Sequence, residues 1–154
     1  MFRTLELKIP PVILPILAIL GMYLTREIFP HFGFPQGMAN LFAGFVLFSA
    51  MTLAVLGVYV FKKHQTTVHP MHPQHTAKIV QSNVYAISRN PMYLSFVMSI
   101  IACGLYLQHT GFILFALGAM TYLHCFQILP EERILLDKFG EEYAQYQRKV
   151  ARWF

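Results

Sequence analysis

The sequence predicts an all-α integral membrane protein, with about four transmembrane helices followed by cytoplasmic or interfacial helices at the C-terminus. Of its 154 residues, 56% are hydrophobic and only 12% are charged, which is too apolar for an ordinary soluble domain. The Lys and Arg residues sit almost entirely between the apolar stretches, as the charges that flank membrane helices do. A single membrane domain over residues 1–154 follows, and this charge distribution argues against nucleic-acid binding.

Four apolar stretches are long enough to be considered as spans. The first is bracketed by charged residues, and prolines crowd its beginning; early prolines are tolerated in a helix, whereas Pro15 is expected to bend it. A charge-free stretch follows Arg89 and is too long for one span, so we divide it at the turn 108–111. The predicted spans cover about residues 9–27, 38–61, 91–107 and 111–129.

Small residues in the third and fourth predicted spans indicate that these two helices pack closely. Gly104, Gly111 and Gly118 have no side chain that would hold the helices apart. Because the connecting turn is short, the two spans form a hairpin. The end of the fourth span therefore lies beside the beginning of the third.

Polar residues replace the apolar pattern after the fourth span and predict helices over residues 131–150. Gly140 is a natural helix end inside this range. Beyond it, Tyr143, Tyr146 and Val150 recur at helical spacing and form an apolar stripe. Such a stripe beside basic residues is typical of a helix that lies at the membrane interface.

The distribution of positive charge predicts the orientation. The loop 62–89 and the C-terminal segment contain several basic residues, whereas the connection 28–36 and the turn 108–111 contain no Lys or Arg. The positive-inside rule then places the loop and both termini in the cytoplasm, with the spans in a bacterial inner or plasma membrane. The Arg89 region and the Glu131 region are consequently expected on the same face.

Residues 88–93 (SRNPMY) mark the point where the basic loop becomes an apolar span. Asn90 is a favoured N-cap and Pro91 suits a first helical position, so a helix is predicted to begin at Pro91. The free N–H groups and the dipole of its first turn can hold an anionic group near Arg89. The alternative is that Arg89 simply contacts lipid headgroups.

Acidic and aromatic residues on the same face suggest binding chemistry. The Glu131 carboxylate can accept hydrogen bonds from ribose hydroxyls or pair with an ammonium group, and Glu132 lies beside it. The alternative is that Glu131 only stabilises a helix N-terminus. Tyr85 and Tyr93 can stack on a purine, or they are ordinary interfacial aromatics.

Four loop histidines raise a metal hypothesis, because imidazole is a frequent zinc ligand. No Cys or acidic residue joins His64, His69, His72 and His75 between Lys62 and Arg89, and we predict no metal site. Two alternatives to an enzyme stay open from the residues alone. One is a small four-span binding or transport protein, and the other is a protein that binds metal through these histidines.

In their order along the chain, residues 88–94 (SRNPMYL), the Glu131 and Glu132 pair, and residues 139–143 (FGEEY) with Tyr146 and Val150 resemble a family of integral membrane enzymes. The family is that of the isoprenylcysteine carboxyl methyltransferases and phospholipid methyltransferases. The resemblance covers about residues 66–154. It implies S-adenosylmethionine as methyl donor, S-adenosylhomocysteine as product, and a lipophilic or membrane-associated acceptor at the cytoplasmic face.

The resemblance also implies which residues form the site. Glu131 and Arg89 are the candidate catalytic residues, and Gln127 is the candidate substrate residue. Gln127 stands where the prenylcysteine enzymes have an Arg for the substrate carboxylate, which argues against a carboxylate acceptor in particular. The implied cofactor-binding residues are Lys78, Ile79, Val80, Tyr85, Asn90, Pro91, Met92, Tyr93 and Glu131.

Two further departures concern the loop and the helix start. Asn90 stands where the prenylcysteine enzymes usually have His, and Asn83 stands where they have Gly. Asn tolerates a left-handed backbone conformation, so we expect the shape of the loop to survive.

The implied reaction is an in-line transfer of an activated methyl group, which positioning and exclusion of water accelerate. A carboxylate or thiolate acceptor needs no general base. An amine must first lose a proton, and the sequence offers only Glu131 or Glu132 to take it. The identity of the acceptor and the oligomeric state stay open.

Overall fold

The computed structural model describes residues 5–64 and 73–154, and every regular element in these residues is a helix, which confirms the predicted all-α class. A π-helical turn at Leu123–Ile128 joins two of the helices, and short 3-10 turns lie at Pro73–His75 and Asn83–Ala86. The α-helices are α1 (Ile13–Leu24), α2 (Gln36–Lys63), α3 (Pro91–Tyr106), α4 (Phe112–Tyr122), α5 (Leu129–Phe139) and α6 (Glu141–Lys149).

Two helical stretches are long and apolar enough to cross a membrane. They are α2 and the continuous helix Phe112–Phe139, with 28 residues each. The other two apolar helices are shorter. Helix α1 has 12 residues and α3 has 16. At a rise of 1.5 Å per residue, α3 is roughly 24 Å long, below the roughly 30 Å of a bilayer core. The count of four spans therefore stays a prediction.

The helix that begins at Phe112 does not stop at Pro130, where the sequence analysis separated the fourth span from the C-terminal helices. The chain passes from α4 through the π-helical turn directly into α5. Pro130 has no N–H to offer the carbonyl of Phe126, four residues earlier, and the N–H of Leu7 donates to that carbonyl at 3.0 Å. The proline is thus accommodated at a locally widened turn, and the helix carries Glu131 beyond it.

Helix α3 lies at the centre of the fold. It packs against α1, α2 and α4, and the main core cluster includes Met22, Ile100, Leu123 and Ile128, all almost completely buried. Helix α2 packs chiefly on α3, and its outward face exposes large apolar side chains such as Phe45. The predicted α3–α4 hairpin is present, and it places the start of α3 next to α5.

Close approach of the hairpin helices depends on Gly104. A Cβ atom added at Gly104 would lie 2.1 Å from the Cβ of Phe112, and one at Gly111 would lie 2.8 Å from the Phe29 ring. At Gly118, an added Cβ would meet nothing within 4 Å. The prediction of close packing between the two helices therefore holds for Gly104, whereas Gly111 packs against Phe29 of the connection 28–36. The prediction is wrong for Gly118, which faces away from its neighbours.

We expect Gly104→Ala to lower the free energy of unfolding by about 1–3 kcal/mol, because the new methyl group overpacks the hairpin. Gly118→Ala is the matched control. It should leave stability unchanged or raise it by up to about 1 kcal/mol through helix propensity. Thermal unfolding in detergent, followed by the fluorescence of Trp153, the single tryptophan, measures both variants. Equal destabilisation by the two changes would contradict the close approach at Gly104.

The C-terminal segment folds back onto the other helices. Gly140 has φ +53° and separates α5 from α6, as predicted for a helix end. Tyr143 and Tyr146 are each only 4% exposed, and Trp153 packs against the main core cluster. The stripe of Tyr143 and Tyr146 thus faces the protein, and the position of this helix at the membrane interface stays a prediction. The left-handed conformation expected at Asn83 is confirmed by its φ of +59°.

Candidate active site

The start of α3 and the middle of the long C-terminal helix meet at one end of the fold. The hydroxyl of Tyr93, in the first turn of α3, donates a hydrogen bond to the carboxylate of Glu131 in α5. The side chain of Gln127 donates from Nε2 to the same oxygen, Oε1, at 2.9 Å. Residues that are far apart in sequence therefore orient a single carboxylate.

A cavity opens beside this carboxylate and encloses about 790 Å³ when its open mouth is included. Its walls come from α2, the loop after Pro73, the start of α3, α5 and α6. Most of the residues that the family resemblance implied lie on these walls, namely Lys78, Ile79, Val80, Tyr85, Arg89, Asn90, Met92, Tyr93 and Glu131.

Two of the implied residues do not line the cavity. Pro91 is buried at the start of α3, where its ring supports the helix rather than the cavity wall. Gln127, the candidate substrate residue, is 2% exposed and lies behind Glu131. The geometry therefore gives Gln127 an orienting contact with Glu131 in place of a direct contact with a ligand.

Arg89 takes part in a buried charge network. Its Nη2 pairs with Glu132 at 2.6 Å, and its side chain is 8% exposed. Arg152 reaches the same carboxylate from the C-terminal segment, with Nη2 at 2.7 Å and Nε at 3.0 Å. One carboxylate thus pairs with two guanidinium groups, and the three side chains together keep one net positive charge. Arg89 also lines the cavity, and the catalytic role that the resemblance implies for it stays a prediction.

Backbone contacts extend this network into a clasp between residues 88–90 and residues 147–152. Arg89 Nη1 donates to the carbonyls of Gln147 and Val150, at 2.9 and 2.6 Å. The Arg89 N–H donates to the carbonyl of Ala151 at 3.0 Å, and Asn90 Nδ2 donates to that of Arg152 at 3.0 Å. Asn90 therefore occupies the N-cap position of α3 without a side-chain cap bond, because its amide holds the C-terminal segment.

Tyr85 brings an unsatisfied hydroxyl to the cavity. Its hydroxyl oxygen is buried without a hydrogen-bond partner, 3.5 Å from where a Cβ on Gly57 would lie. Tyr146 donates from its hydroxyl to the Tyr85 carbonyl at 2.7 Å, which fixes the loop against α6. A buried polar atom without a partner is costly, so this hydroxyl is suited to meet a ligand.

Burial governs the electrostatics of the tyrosines around the cavity. It raises the pKa of Tyr85, Tyr143 and Tyr146 well above the ordinary value, so all three hydroxyls stay protonated at neutral pH. The hydrogen bond to Glu132 raises the pKa of Arg152. The site therefore presents neutral donors and aromatic faces around its carboxylates.

Sequence reasoning missed several residues that line the cavity. Tyr143 and Tyr146 belong to the motif that carries the resemblance, but their helical spacing suggested a membrane-facing stripe. The remaining side chains give no local signal, because only the folded chain brings them to the cavity. Glu132, which the sequence analysis named beside Glu131, lines the cavity as well. The additional lining residues are Phe61, Pro73, Thr76, Leu135, Tyr143 and Tyr146.

The metal hypothesis requires several ligand side chains that lie close together in the fold. Residues 5–64 and 73–154 contain no group of three or more His, Cys, Asp or Glu side chains that could hold a metal ion. His64 contacts Ser82 Oγ through Nε2 at 3.1 Å. His69 and His72 lie outside the described residues, and only the backbone of His75 is described.

Comparison with known proteins yields one family and two relatives. Residues 38–142 match the family model described as phospholipid methyltransferase. Methanethiol S-methyltransferase 1 of Bradyrhizobium diazoefficiens is 35% identical over 112 residues, which cover 71% of this chain and 38% of that protein. An uncharacterized protein of Haemophilus influenzae is 41% identical over 66 residues, which cover 40% of this chain and 98% of that protein.

Proposed function

The chain belongs to the phospholipid methyltransferase family, and on this premise we propose that it is an S-adenosylmethionine-dependent methyltransferase. Its acceptor is a lipophilic or membrane-associated molecule that reacts at the cytoplasmic membrane face. One observation carries the proposal: Lys78 and Tyr85 of the loop, Tyr93 at the start of α3 and the distant Glu131 of α5 line one cavity.

The residues of the cavity fit the chemical groups of the donor. The Glu131 carboxylate can attract a cationic sulfonium or ammonium group, and the rings of Tyr93 and Tyr143 can face a cation or a purine. The buried hydroxyl of Tyr85 has no partner among the described residues and can bond a ribose or carboxylate oxygen. Apolar walls such as Leu135 suit the uncharged parts of the molecule.

S-adenosylmethionine supplies an activated methyl group when it is bound. The chain itself contributes orientation and exclusion of water. Tyr93 and Gln127 hold Glu131 through its Oε1 atom, and the clasp at Arg89 keeps α6 against the cavity. Met92 and Leu135 present apolar surface that shields the reacting atoms from water.

The proposal specifies the chemical class of the acceptor and not a single compound. The Bradyrhizobium relative is named for the methylation of a small thiol, and the matched region covers only 38% of its length. This likeness supports a thiol among the acceptors that the sequence analysis left open. A volatile alkanethiol and a membrane lipid share an apolar chain, and both can partition into a bilayer before they reach the site.

The proposed membrane arrangement is four spans with both termini in the cytoplasm. Helix α2 and the helix Phe112–Phe139 meet the length and hydropathy that a span requires. The shorter helices α1 and α3 pack beside them and complete the four. Lys62 and Lys63 end α2 at the level of the site, which agrees with a cytoplasmic position for the cavity.

Calorimetric titration of the purified full chain in detergent tests the proposal. We expect saturable binding of S-adenosylmethionine to the unaltered protein. We expect Glu131→Ala to weaken this binding at least tenfold (about 1.4 kcal/mol), because it removes the carboxylate that attracts the cationic donor.

The exposed residue Glu142 provides the matched control, and Glu142→Ala should bind the donor as the unaltered protein does. Absence of donor binding to the unaltered protein would refute the proposal. Zinc binding in its place would favour the metal alternative.

A further inference from the structure

The direction of the Glu131 side chain depends on a widened turn of the helix that carries it. In the π-helical turn Leu123–Ile128, bonding reaches back five residues, and the N–H of Leu129 donates to the carbonyl of His124. Successive residues of an α-helix lie about 100° apart, so one extra residue in a turn rotates everything after it by about that angle. Glu131 therefore faces Tyr93 only while the turn keeps its extra residue.

A backbone contact from the N-terminal segment, residues 5–8, supports this turn. The N–H of Leu7 donates to the carbonyl of Phe126 at 3.0 Å, a carbonyl to which Pro130 offers no N–H. Leu7 has φ +56°, a left-handed conformation that is uncommon for leucine and persists only where surrounding contacts impose it. The contact with the widened turn is one such constraint on the segment.

An ion pair fixes the same segment to α5 beyond Glu131. The Glu6 carboxylate accepts a hydrogen bond from Arg133 Nη1 at 3.3 Å, and the Glu6 side chain is 21% exposed. Leu7 contacts the residue before Gln127, and Glu6 contacts the residue two positions after Glu131. The two contacts therefore bracket the stretch in which Gln127 donates to Glu131 at 2.9 Å.

Helix α1 anchors the segment to the rest of the fold. It begins at Ile13, packs against α3 and α4, and buries Met22 completely. The first turn of α3 supplies Tyr93, whose hydroxyl donates to the Glu131 carboxylate. The segment thus links the part of the fold that holds Tyr93 to the helix that carries Glu131.

We propose that Glu6 and Leu7 are positioning residues of the donor site, which hold the π-helical turn and so keep the Glu131 carboxylate directed into the cavity. The inference rests on the proposed function, because Glu131 attracts the donor there. A carboxylate that is already oriented binds its ligand without a further loss of side-chain freedom. Both residues precede the range 38–142 that matches the family model, so the support for the site extends beyond the matched part of the chain.

Two substitutions at Leu7 test the backbone contact in the full chain. Leu7→Pro removes the N–H, and the proline ring excludes the left-handed conformation. We expect it to weaken the binding of S-adenosylmethionine by about fivefold or more in calorimetry, the scale of one net hydrogen bond. Leu7→Ala loses the same side chain but keeps the N–H, and it should bind within about twofold of the unaltered protein. Binding is compared at a temperature at which Trp153 fluorescence shows each variant to be folded.

A second background separates positioning from general support of the fold. In Glu131→Ala the positioned group is gone, so adding Leu7→Pro should change donor binding by less than about twofold. A purely structural role would lower the affinity by the same factor in both backgrounds. That result, or unchanged donor binding in Leu7→Pro itself, would overturn the inference and leave the proposed function intact. If the unaltered protein does not bind the donor, it is the proposed function that fails.

A charge exchange tests the ion pair and does not depend on the folding of Leu7→Pro. Glu6→Arg sets two positive charges against each other, and we expect donor binding to weaken about threefold. Combining it with Arg133→Glu restores the attraction and should return the affinity to within about twofold of the unaltered protein. Glu141→Arg, at the exposed pair with Arg148, is the control and should leave binding unchanged. A double exchange that binds no better than Glu6→Arg alone would overturn the positioning role of Glu6.

Discussion

Glu132→Ala is expected to lower the free energy of unfolding by about 3–5 kcal/mol, because it leaves two guanidinium groups without a counter-charge. The side chain of Arg89 is 8% exposed and that of Arg152 is 31% exposed, so neither recovers full hydration. The substitution also releases the clasp that holds residues 147–152 against the start of α3. Thermal unfolding in detergent, followed by Trp153 fluorescence, measures the loss.

An exposed ion pair on α6 provides the control. Glu141 pairs with Arg148, and both side chains are more than half exposed. Glu141→Ala should therefore cost no more than about 1 kcal/mol, as is usual for surface pairs. If Glu132→Ala costs no more than Glu141→Ala, then the buried network does not hold the site together.

Alkaline pH is expected to remove about 4 kcal/mol of stability between pH 7 and pH 11. Burial raises the pKa of Tyr85, Tyr143 and Tyr146 above the value of about 10 that tyrosine has in an unfolded chain. Their contribution is fully present below pH 10. It is lost as the pH rises, because the unfolded chain releases protons that the folded chain retains. At pH 11 each tyrosine accounts for about 1–2 kcal/mol.

Chemical unfolding at a series of pH values, with tyrosinate absorbance recorded in parallel, measures this effect. Tyr143→Phe removes one of the three groups and should recover about 1–2 kcal/mol of the loss at pH 11. Tyr106→Phe, at a residue that is 57% exposed, is the control and should recover nothing. Full ionisation of all tyrosines before the chain unfolds would contradict the burial of this cluster.

The family resemblance located most of the cavity, although the residues alone did not decide its function. The local sequence of residues 88–93 predicts where the helix begins, because an Asn before a Pro suits the first turn of a helix. The helix does begin at Pro91, and Asn90 and Tyr93 both line the cavity. Gln127 was assigned to the acceptor by position alone, and its contact with Glu131 emerges only when the helix is folded.

Long-range contacts explain the places where the structure differs from the sequence-based predictions. Pro130 interrupts a helix in isolation, but the N–H of Leu7 satisfies the carbonyl that the proline leaves free, so the helix continues. Tyr143 and Tyr146 have the spacing of a membrane-facing stripe, but α6 turns them into the protein. A periodic pattern indicates which residues share a face and does not specify what that face contacts.

The sequence by itself determined the all-α class, the boundaries of α2 and α3, the turn at Gly140 and the left-handed residue at Asn83. Each of these depends on local signals, which are apolar runs, flanking charges and residues with special backbone preferences. Only the tertiary structure decided that Glu132 pairs with Arg89 and Arg152, and that Tyr93 and Gln127 orient Glu131. Those features depend on distances between residues far apart in the chain, and such distances are set when the helices pack.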